Sequence, residues 1–241
     1  MMTKKLNFRR EWKSVKKLIQ CIIALAVMFS EMNAQTVKVT YREEMKVAEV
    51  LQQINDPQIA AAVEKQLKAK TKTMELLYSK GESIYRQEAT ASDNSSAVYK
   101  NMQKRICLSK ESIIDRPFLI RDDFTAPKWE FINESMEICG LKCQKAIDST
   151  GVTAWYCPEI PINDGPYRYF GLPGLILKIE NKGKIFTAEN VQTKDVETSE
   201  IKPLRGKAIS REEFEKIKKQ KLQEFGVNGS TGNGSVKIIT M

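Results

Sequence analysis

The sequence predicts a mainly β protein with two peripheral helices; an α+β arrangement is the alternative. Three observations predict it. Apolar and polar residues alternate in about ten short stretches, the period of a half-buried strand. Glycine, asparagine and aspartate punctuate those stretches at hairpin spacing. Only two segments combine a helix start signal with apolar residues at three- to four-residue intervals.

The chain opens on a leader. Lys4, Lys5, Arg9, Arg10, Lys13, Lys16 and Lys17 make residues 1–18 basic. The apolar run 18–29, broken only by Gln20, follows, and Ala34 supplies a small residue at the expected cut. This is the pattern of a cleavable export signal over residues 1–34. About a dozen apolar residues is short of the roughly 20 that span a bilayer, so no transmembrane helix is expected after cleavage. Cys21 starts the apolar run behind Gln20, unlike a lipoprotein cysteine. Residues 35–225 then read as one β-rich domain, long enough for its own core, and 226–241, rich in Gly, Ser and Asn, as a flexible tail.

The formal charge of +9 comes largely from the leader, so it is no argument for nucleic-acid binding. No cluster of aromatics among Lys and Arg resembles a nucleic-acid module.

Within the domain, 35–41 alternates with Val37, Val39 and Tyr41 on one side. Asp56-Pro57 caps and starts a helix, with Ile59, Val63 and Leu67 on one stripe to about Lys70. Residues 74–78 and 83–87 form a hairpin around Ser79-Lys80-Gly81-Glu82. Strands are expected at 98–108, 117–121, 129–133, 137–146 and 152–156. The stretch 158–173 holds Pro158, Pro161, Gly165, Pro166, Gly171 and Pro173 among aromatics, so it reads as an ordered loop. Leu172-Pro173-Gly174-Leu175 fits a type II turn with Gly174 at positive φ. Strands 175–179 and 184–191 flank Asn181-Lys182-Gly183. Ser210-Arg211-Glu212-Glu213 is a capping box opening a helix to about Phe225.

Cys107, Cys139, Cys143 and Cys157 are four cysteines in an exported chain, which points to disulfides. A turn at Ser149–Gly151 pairs Asp148 with Val152 and sets Cys143 opposite Cys157. That favours a Cys143–Cys157 bridge, with Cys107–Cys139 as the default second. Buried free thiols are the alternative; the spacings lack zinc knuckles.

The chain has no histidine, which removes Ser-His-Asp and Cys-His catalysis and histidine metal ligation. Glu159 and Asp164 flank the Pro-rich loop, but two loop carboxylates more often cap turns than catalyse. No phosphate-binding glycine loop and no acidic calcium loop is present. No catalytic residue, metal or cofactor is therefore assigned. Trp155, Tyr156, Tyr167, Tyr169 and Phe170 form the candidate ligand surface, because aromatic platforms bind sugars, peptides or lipid chains. The alternative is that they pack the loop onto the sheet.

Gly171-Leu172-Pro173-Gly174-Leu175-Ile176 resembles the motif of the GLPGLI family of exported Bacteroidota proteins. Upstream, Lys128-Trp129, the run Gly140, Cys143, Lys145 and Ala146, Ala154-Trp155-Tyr156, and Ile160-Pro161-Ile162 before Gly165-Pro166 follow the same order, so the likeness covers about residues 95–195. Cys139 and Cys157 depart from it; Cys143 is the more typical cysteine. The resemblance implies a curved antiparallel sheet or half-barrel, similar to the N-terminal bowl-shaped domain of a bacterial peptide-N-glycosidase, and a location in the periplasm, at the outer membrane or outside the cell. It supplies no catalytic residue. The expected function is a non-enzymatic binding or scaffold domain for a hydrophobic, glycan or protein ligand. The alternatives are an assembly or accessory subunit of an outer-membrane complex, and a glycan-directed hydrolase.

Overall fold

The computed structural model describes residues 36–47, 51, 54–87, 95–113, 116–194 and 196–224. The leader, the tail and Phe225 lie outside the described residues. Strand β1 (Thr36–Met45) is followed by helix α1 (Pro57–Lys68), then β2 (Lys72–Ser79), β3 (Glu82–Gln87), β4 (Ala97–Asn101), β5 (Ile106–Ile113) and β6 (Arg116–Asp122). Next come β7 (Trp129–Ile138), β8 (Leu141–Asp148), β9 (Thr153–Cys157), β10 (Leu175–Glu180), β11 (Lys184–Gln192), the short β12 (Ala208–Ser210) and helix α2 (Arg211–Glu224).

All twelve strands join one sheet in the order β12-β6-β5-β4-β3-β2-β1-β11-β10-β9-β8-β7. It is two antiparallel meanders, β1–β6 and β7–β11, fused along β1 and β11; only β12 pairs in parallel, on β6. The edges β12 and β7 do not meet, so the protein is mainly β with an open sheet and not a barrel.

The sheet is strongly curved. Tyr85 on β3 and Phe186 on β11 are three strand spacings apart, roughly 14 Å in a flat sheet, yet their rings touch edge to face at 6.5 Å. On the other side, the Cys139 thiol in the β7–β8 turn donates to the Ala188 carbonyl on β11 at 3.2 Å, across β9 and β10. Register shifts at Thr40/Tyr41, Ile176/Lys178 and Ile132/Ser135 mark bulges, which bend strands locally.

Both helices start where the sequence places them. The Asp56 carboxylate accepts from the Gln58 and Ile59 amides at 2.8 and 3.2 Å. Ser210 Oγ accepts from the Glu213 amide at 3.1 Å. Helix α1 buries no residue and leaves Ile59 exposed, so it covers a margin. Helix α2 anchors through Phe214, whose ring meets Phe118 on β6 edge to face.

Two segments read as single strands are hairpins instead. The stretch 98–108 breaks at Met102–Arg105, where Arg105 has φ 53° and Asn101 Oδ1 accepts from the Lys104 amide at 2.7 Å. The stretch 137–146 breaks at Cys139-Gly140, both left-handed with φ 54° and 74°, as a two-residue hairpin turn requires. The turn at 148–151 forms as expected: the Asp148 amide donates to the Val152 carbonyl at 3.0 Å, and Asp148 Oδ1 accepts from the Thr150 and Val152 amides.

Gly174 does not have positive φ, so the type II turn expected at Leu172–Leu175 is not formed. A β-carbon at Gly174 would instead lie 2.3 Å from the Cys157 carbonyl oxygen. The glycine is needed for close backbone approach. In the same motif it is Gly171 that has positive φ (100°), and a β-carbon there would lie 2.5 Å from that of Ala126.

Candidate functional site

The Pro-rich loop between β9 and β10 folds into the concavity. On the first meander, register places Tyr41 and Glu43, Met74, Tyr85 and Gln87, Val98 and Lys100, Cys107, Ser109 and Glu111, and Asp122 on one face. The loop docks there. Tyr41 donates its hydroxyl to the Ile176 carbonyl at 2.6 Å. Lys100 Nζ donates to the Gly165 carbonyl at 2.7 Å and pairs with Asp164 Oδ1 at 2.5 Å, both side chains being wholly buried. Tyr167 donates to Glu111 at 2.9 Å, and Arg168 to Asp122 at 2.9 Å. Asp122 also accepts from Arg211 at 2.7 Å, which ties the start of α2 to the same face. Burial works against the Arg211 charge, but hydrogen bonds and charges from Asp122 and Glu111 outweigh it and raise the pKa.

Between the loop and the sheet a cavity of about 400 Å³ remains. Tyr85, Phe186 and Tyr167 supply its aromatic lining, Met74 and Val98 its apolar lining, and Glu43, Lys72, Gln87, Glu111, Asn181 and Lys184 its polar lining. The Tyr167 and Phe186 rings stack, 6.4 Å apart and 10° from parallel. Tyr167 is left-handed at φ 52°, a conformation that costs a side-chain-bearing residue roughly 1–2 kcal/mol. Glu43 is paired with Lys184, and Glu111 with Arg211 at 2.8 Å. The Tyr85 hydroxyl is buried beside the Glu43 carboxylate without a well-formed hydrogen bond. Burial, then the nearby Glu43 charge, raises its pKa far above 10. Burial first, against Arg168 and with Glu111, raises that of Tyr167 too. Both phenols are therefore donors at neutral pH.

Of the five aromatics proposed as a ligand surface, only Tyr167 lines this cavity. Tyr169 meets Phe186 edge to face and accepts from Asn181 at 3.0 Å. Phe170 is buried and stacked on Phe124 at 4.6 Å, and its carbonyl accepts from Trp129 Nε1 at 3.0 Å. Trp155 and Tyr156 are both buried, although they face opposite sides of β9. Lys145 covers the Trp155 ring, while Tyr156 donates to Gln144 at 2.7 Å beneath the exposed Phe131. These four make packing contacts and do not line the cavity. Tyr85, Phe186, Glu43 and Glu111 carry no local motif; only the register of separate strands collects them.

The expected disulfides are absent: Cys107, Cys139, Cys143 and Cys157 are all free. Cys107 lies on β5 beside Lys100, Asp122 and Arg168, whereas Cys139 lies against Ala188, so that pairing fails on position. Cys143 does fall opposite Cys157 in the β8–β9 register, one step past the Gln144–Tyr156 pair. The ladder ends there because Pro158 has no N–H to extend it, and the Cys143 thiol turns along its own strand to the Leu141 carbonyl. Burial pushes Cys107 up to about 11 and, with Cys157 and Cys139 adding, Cys143 up to about 12. Glu159 is exposed and Asp164 is taken by Lys100, so the two loop carboxylates do not act together. Among the described residues no cluster of Cys, Asp and Glu is placed to hold a metal ion, and no helix is long and apolar enough to cross a membrane.

The fold is similar to that of PNGF-II, seen in C2 and P21 crystal forms. The TM-score is 0.53 against each, at 14% and 15% identity over 76% of this chain. The chain spans only about a third of PNGF-II, 32% and 33% in the two structures, and at this identity the likeness is one of fold. No curated protein matches it in sequence. Residues 13–178, more than half the chain and including Gly171–Ile176, match a family model, and the chain belongs to that family, described as a protein of unknown function (Porph_ging).

Proposed function

We propose that the mature domain is a non-enzymatic binding module of the bacterial envelope whose concave pocket takes a glycan. The observation that carries this reading is the buried Tyr85 hydroxyl, a donor only poorly paired with the Glu43 carboxylate on the wall of a cavity of about 400 Å³. Buried polar groups are nearly always hydrogen-bonded, so a ligand oxygen is its natural complement. Stacked Tyr167 and Phe186 rings beside carboxylates, Gln87 and Asn181 suit a molecule with an apolar face and a hydroxylated rim. The strained backbone at Tyr167 fits a residue fixed for contact rather than for stability. Export to the envelope rests on the leader. The PNGF-II likeness supports the fold and carries no activity over.

Calorimetric titration of the chain from residue 35 with neutral and amino-sugar oligosaccharides tests the ligand class, with fatty acids and peptides as comparison. Glycan binding that weakens about tenfold or more in Tyr167→Ala, some 1.4 kcal/mol, supports it. Binding of fatty acids or peptides alone, or of nothing, overturns it. A second reading, a glycan-directed hydrolase, has one observation in its favour: Glu43 and Glu111 line the same pocket. Each is already engaged by a cation, which suits recognition better than acid catalysis. Glycan turnover by the wild type that is lost in Glu111→Gln would establish it instead. An assembly role would be read from a stoichiometric partner in envelope extracts.

A further inference from the structure

The charges around the pocket do not cancel. On the side of the loop and α2, Glu111 and Asp122 meet Arg168 and Arg211. Arg211 lies 2.8 Å from Glu111 and 2.7 Å from Asp122, and Arg168 lies 2.9 Å from Asp122. Two carboxylates face two guanidiniums, so that side is balanced. On the other side Glu43 stands between two lysines that line the cavity with it, Lys72 and Lys184. Lys184 holds the Glu43 carboxylate. Lys72 is directly opposite Glu43 in the β1–β2 register, yet among the described residues it has no carboxylate partner. One positive charge is left over, on an exposed side chain at the rim. We infer that the glycan taken by this pocket is acidic, with a carboxylate or sulfate ester that pairs with Lys72. The inference rests on the glycan reading above and narrows it.

The strand register gives the ligand its layout. Lys72, Glu43 and Phe186 form one row across β2, β1 and β11. Two strand spacings, roughly 10 Å along the sheet, separate Lys72 from Phe186. Phe186 marks the aromatic end of the cavity, where its ring stacks with Tyr167 and meets Tyr85. A short oligosaccharide bridges that distance with one ring on the aromatics and its acid group at the lysine. Gln87 lines the cavity on the neighbouring strand, opposite Met74 in the β2–β3 register. Met74 is one same-face step along β2 from Lys72, so the Gln87 amide is placed to add a neutral donor beside the ammonium.

The same arrangement argues against a cationic sugar. An amine in the pocket would need a carboxylate, and both that line it are engaged, Glu43 by Lys184 and Glu111 by Arg211. It would also meet the surplus ammonium of Lys72. A neutral sugar gains nothing from Lys72 beyond an ordinary hydrogen bond, whereas an anion gains a charge-assisted one. Water reaches the rim and screens the pair, so the expected preference is moderate, about fivefold to tenfold.

The test is calorimetric titration of the chain from residue 35, at low ionic strength, with cellotriose, the chitosan trimer, the cellouronic acid trimer and sulfated cellotriose. These share one linkage and differ in charge. The uronic or the sulfated trimer is expected to bind about fivefold to tenfold more tightly than cellotriose, and the amino trimer least tightly. The larger of the two preferences tells carboxylate from sulfate. About 0.5 M salt should shrink the preference. Lys72→Gln should abolish it, so that acidic and neutral trimers bind alike. Lys142→Gln makes the same change of charge on β8, away from the cavity lining, and should keep it. Cellotriose or the amino trimer binding as tightly as both acidic trimers overturns the inference and leaves the glycan reading standing. So does a preference that persists in Lys72→Gln. No binding by any trimer overturns the glycan reading and this inference together.

Discussion

Gly174 lies so close to Cys157 that a β-carbon on the glycine would be 2.3 Å from the Cys157 carbonyl oxygen and 2.7 Å from its carbonyl carbon. The obstacle is backbone of a central strand and cannot swing aside as a side chain would. Gly174→Ala is therefore expected to lower stability by about 2–3 kcal/mol, the upper part of the overpacking range. Gly183 offers the control, because a β-carbon there meets nothing within 4 Å; Gly183→Ala should stay within about 0.5 kcal/mol of wild type. Urea denaturation of both variants checks the pair. Equal stability of the two would mean that the second half of the motif is not a packing device.

The cysteines give a second expectation. All four are free, and only Cys139 is exposed. In the folded chain from residue 35, a thiol reagent at neutral pH should modify Cys139 well ahead of the others. In denaturant without reductant all four should react. The high pKa of Cys107 and Cys143 sets the pH dependence. Below pH 9, the ordinary thiol value, both are protonated folded and unfolded, and they contribute no slope. Above it the unfolded chain ionises while the folded chain holds its protons to about 11 and 12. The unfolded state then binds fewer protons, so stability falls as pH rises through that window. Buried Tyr41 and Tyr85, raised mainly by burial, act in the same direction above pH 10. A urea midpoint lower at about pH 10.5 than at about pH 8 is the expected measurement.

Asp122 joins two arginines from distant parts of the chain, Arg168 of the loop and Arg211 of α2. Its side chain is nearly buried, and Ser109 donates to its other oxygen. Removing one partner of such a group leaves charge without compensation, which typically costs about 3–5 kcal/mol in full burial. Both arginines are partly exposed here, so Asp122→Ala is expected to cost about 2–3 kcal/mol. Limited proteolysis should cut first near α2, whose remaining holds on the sheet are Phe214 and the Arg211–Glu111 pair.

Much of this architecture is local and so could be read from residues. Asp56-Pro57, Ser210 through Glu213 and Asp148 through Gly151 act through bonds spanning two to four residues, and each formed where read. The Cys139-Gly140 hairpin escaped because cysteine seldom adopts positive φ, and a continuous apolar alternation hid the break. The pocket was not legible for a different reason. Tyr85, Glu111, Tyr167 and Phe186 come from three strands and a loop, and each sits in a sequence that reads as ordinary strand or turn. Their meeting depends on sheet order and curvature, which no spacing encodes. The conspicuous aromatics Trp155, Tyr156 and Phe170 are conspicuous because they are core. Whether Tyr156 and Trp155 can both be buried turns on what covers each face, and local alternation cannot say.

The Tyr85 hydroxyl separates function from stability most cleanly. Its ring is core, meeting Tyr41 and Phe186 edge to face, and Phe preserves those contacts. The oxygen makes no well-formed hydrogen bond, although the Glu43 carboxylate lies beside it, and a poorly satisfied buried donor costs up to about 1–3 kcal/mol. Tyr85→Phe should thus leave stability unchanged or raise it by up to about 1 kcal/mol. For a bound glycan the sign reverses. The variant loses a hydrogen bond to the ligand and should bind about fivefold to tenfold more weakly, near 1 kcal/mol. A hydroxyl that served only the fold would show the opposite pattern, a loss of stability with affinity unchanged. Thermal denaturation and calorimetric titration on one preparation of Tyr85→Phe decide between them, because the two roles move the two readouts in opposite directions.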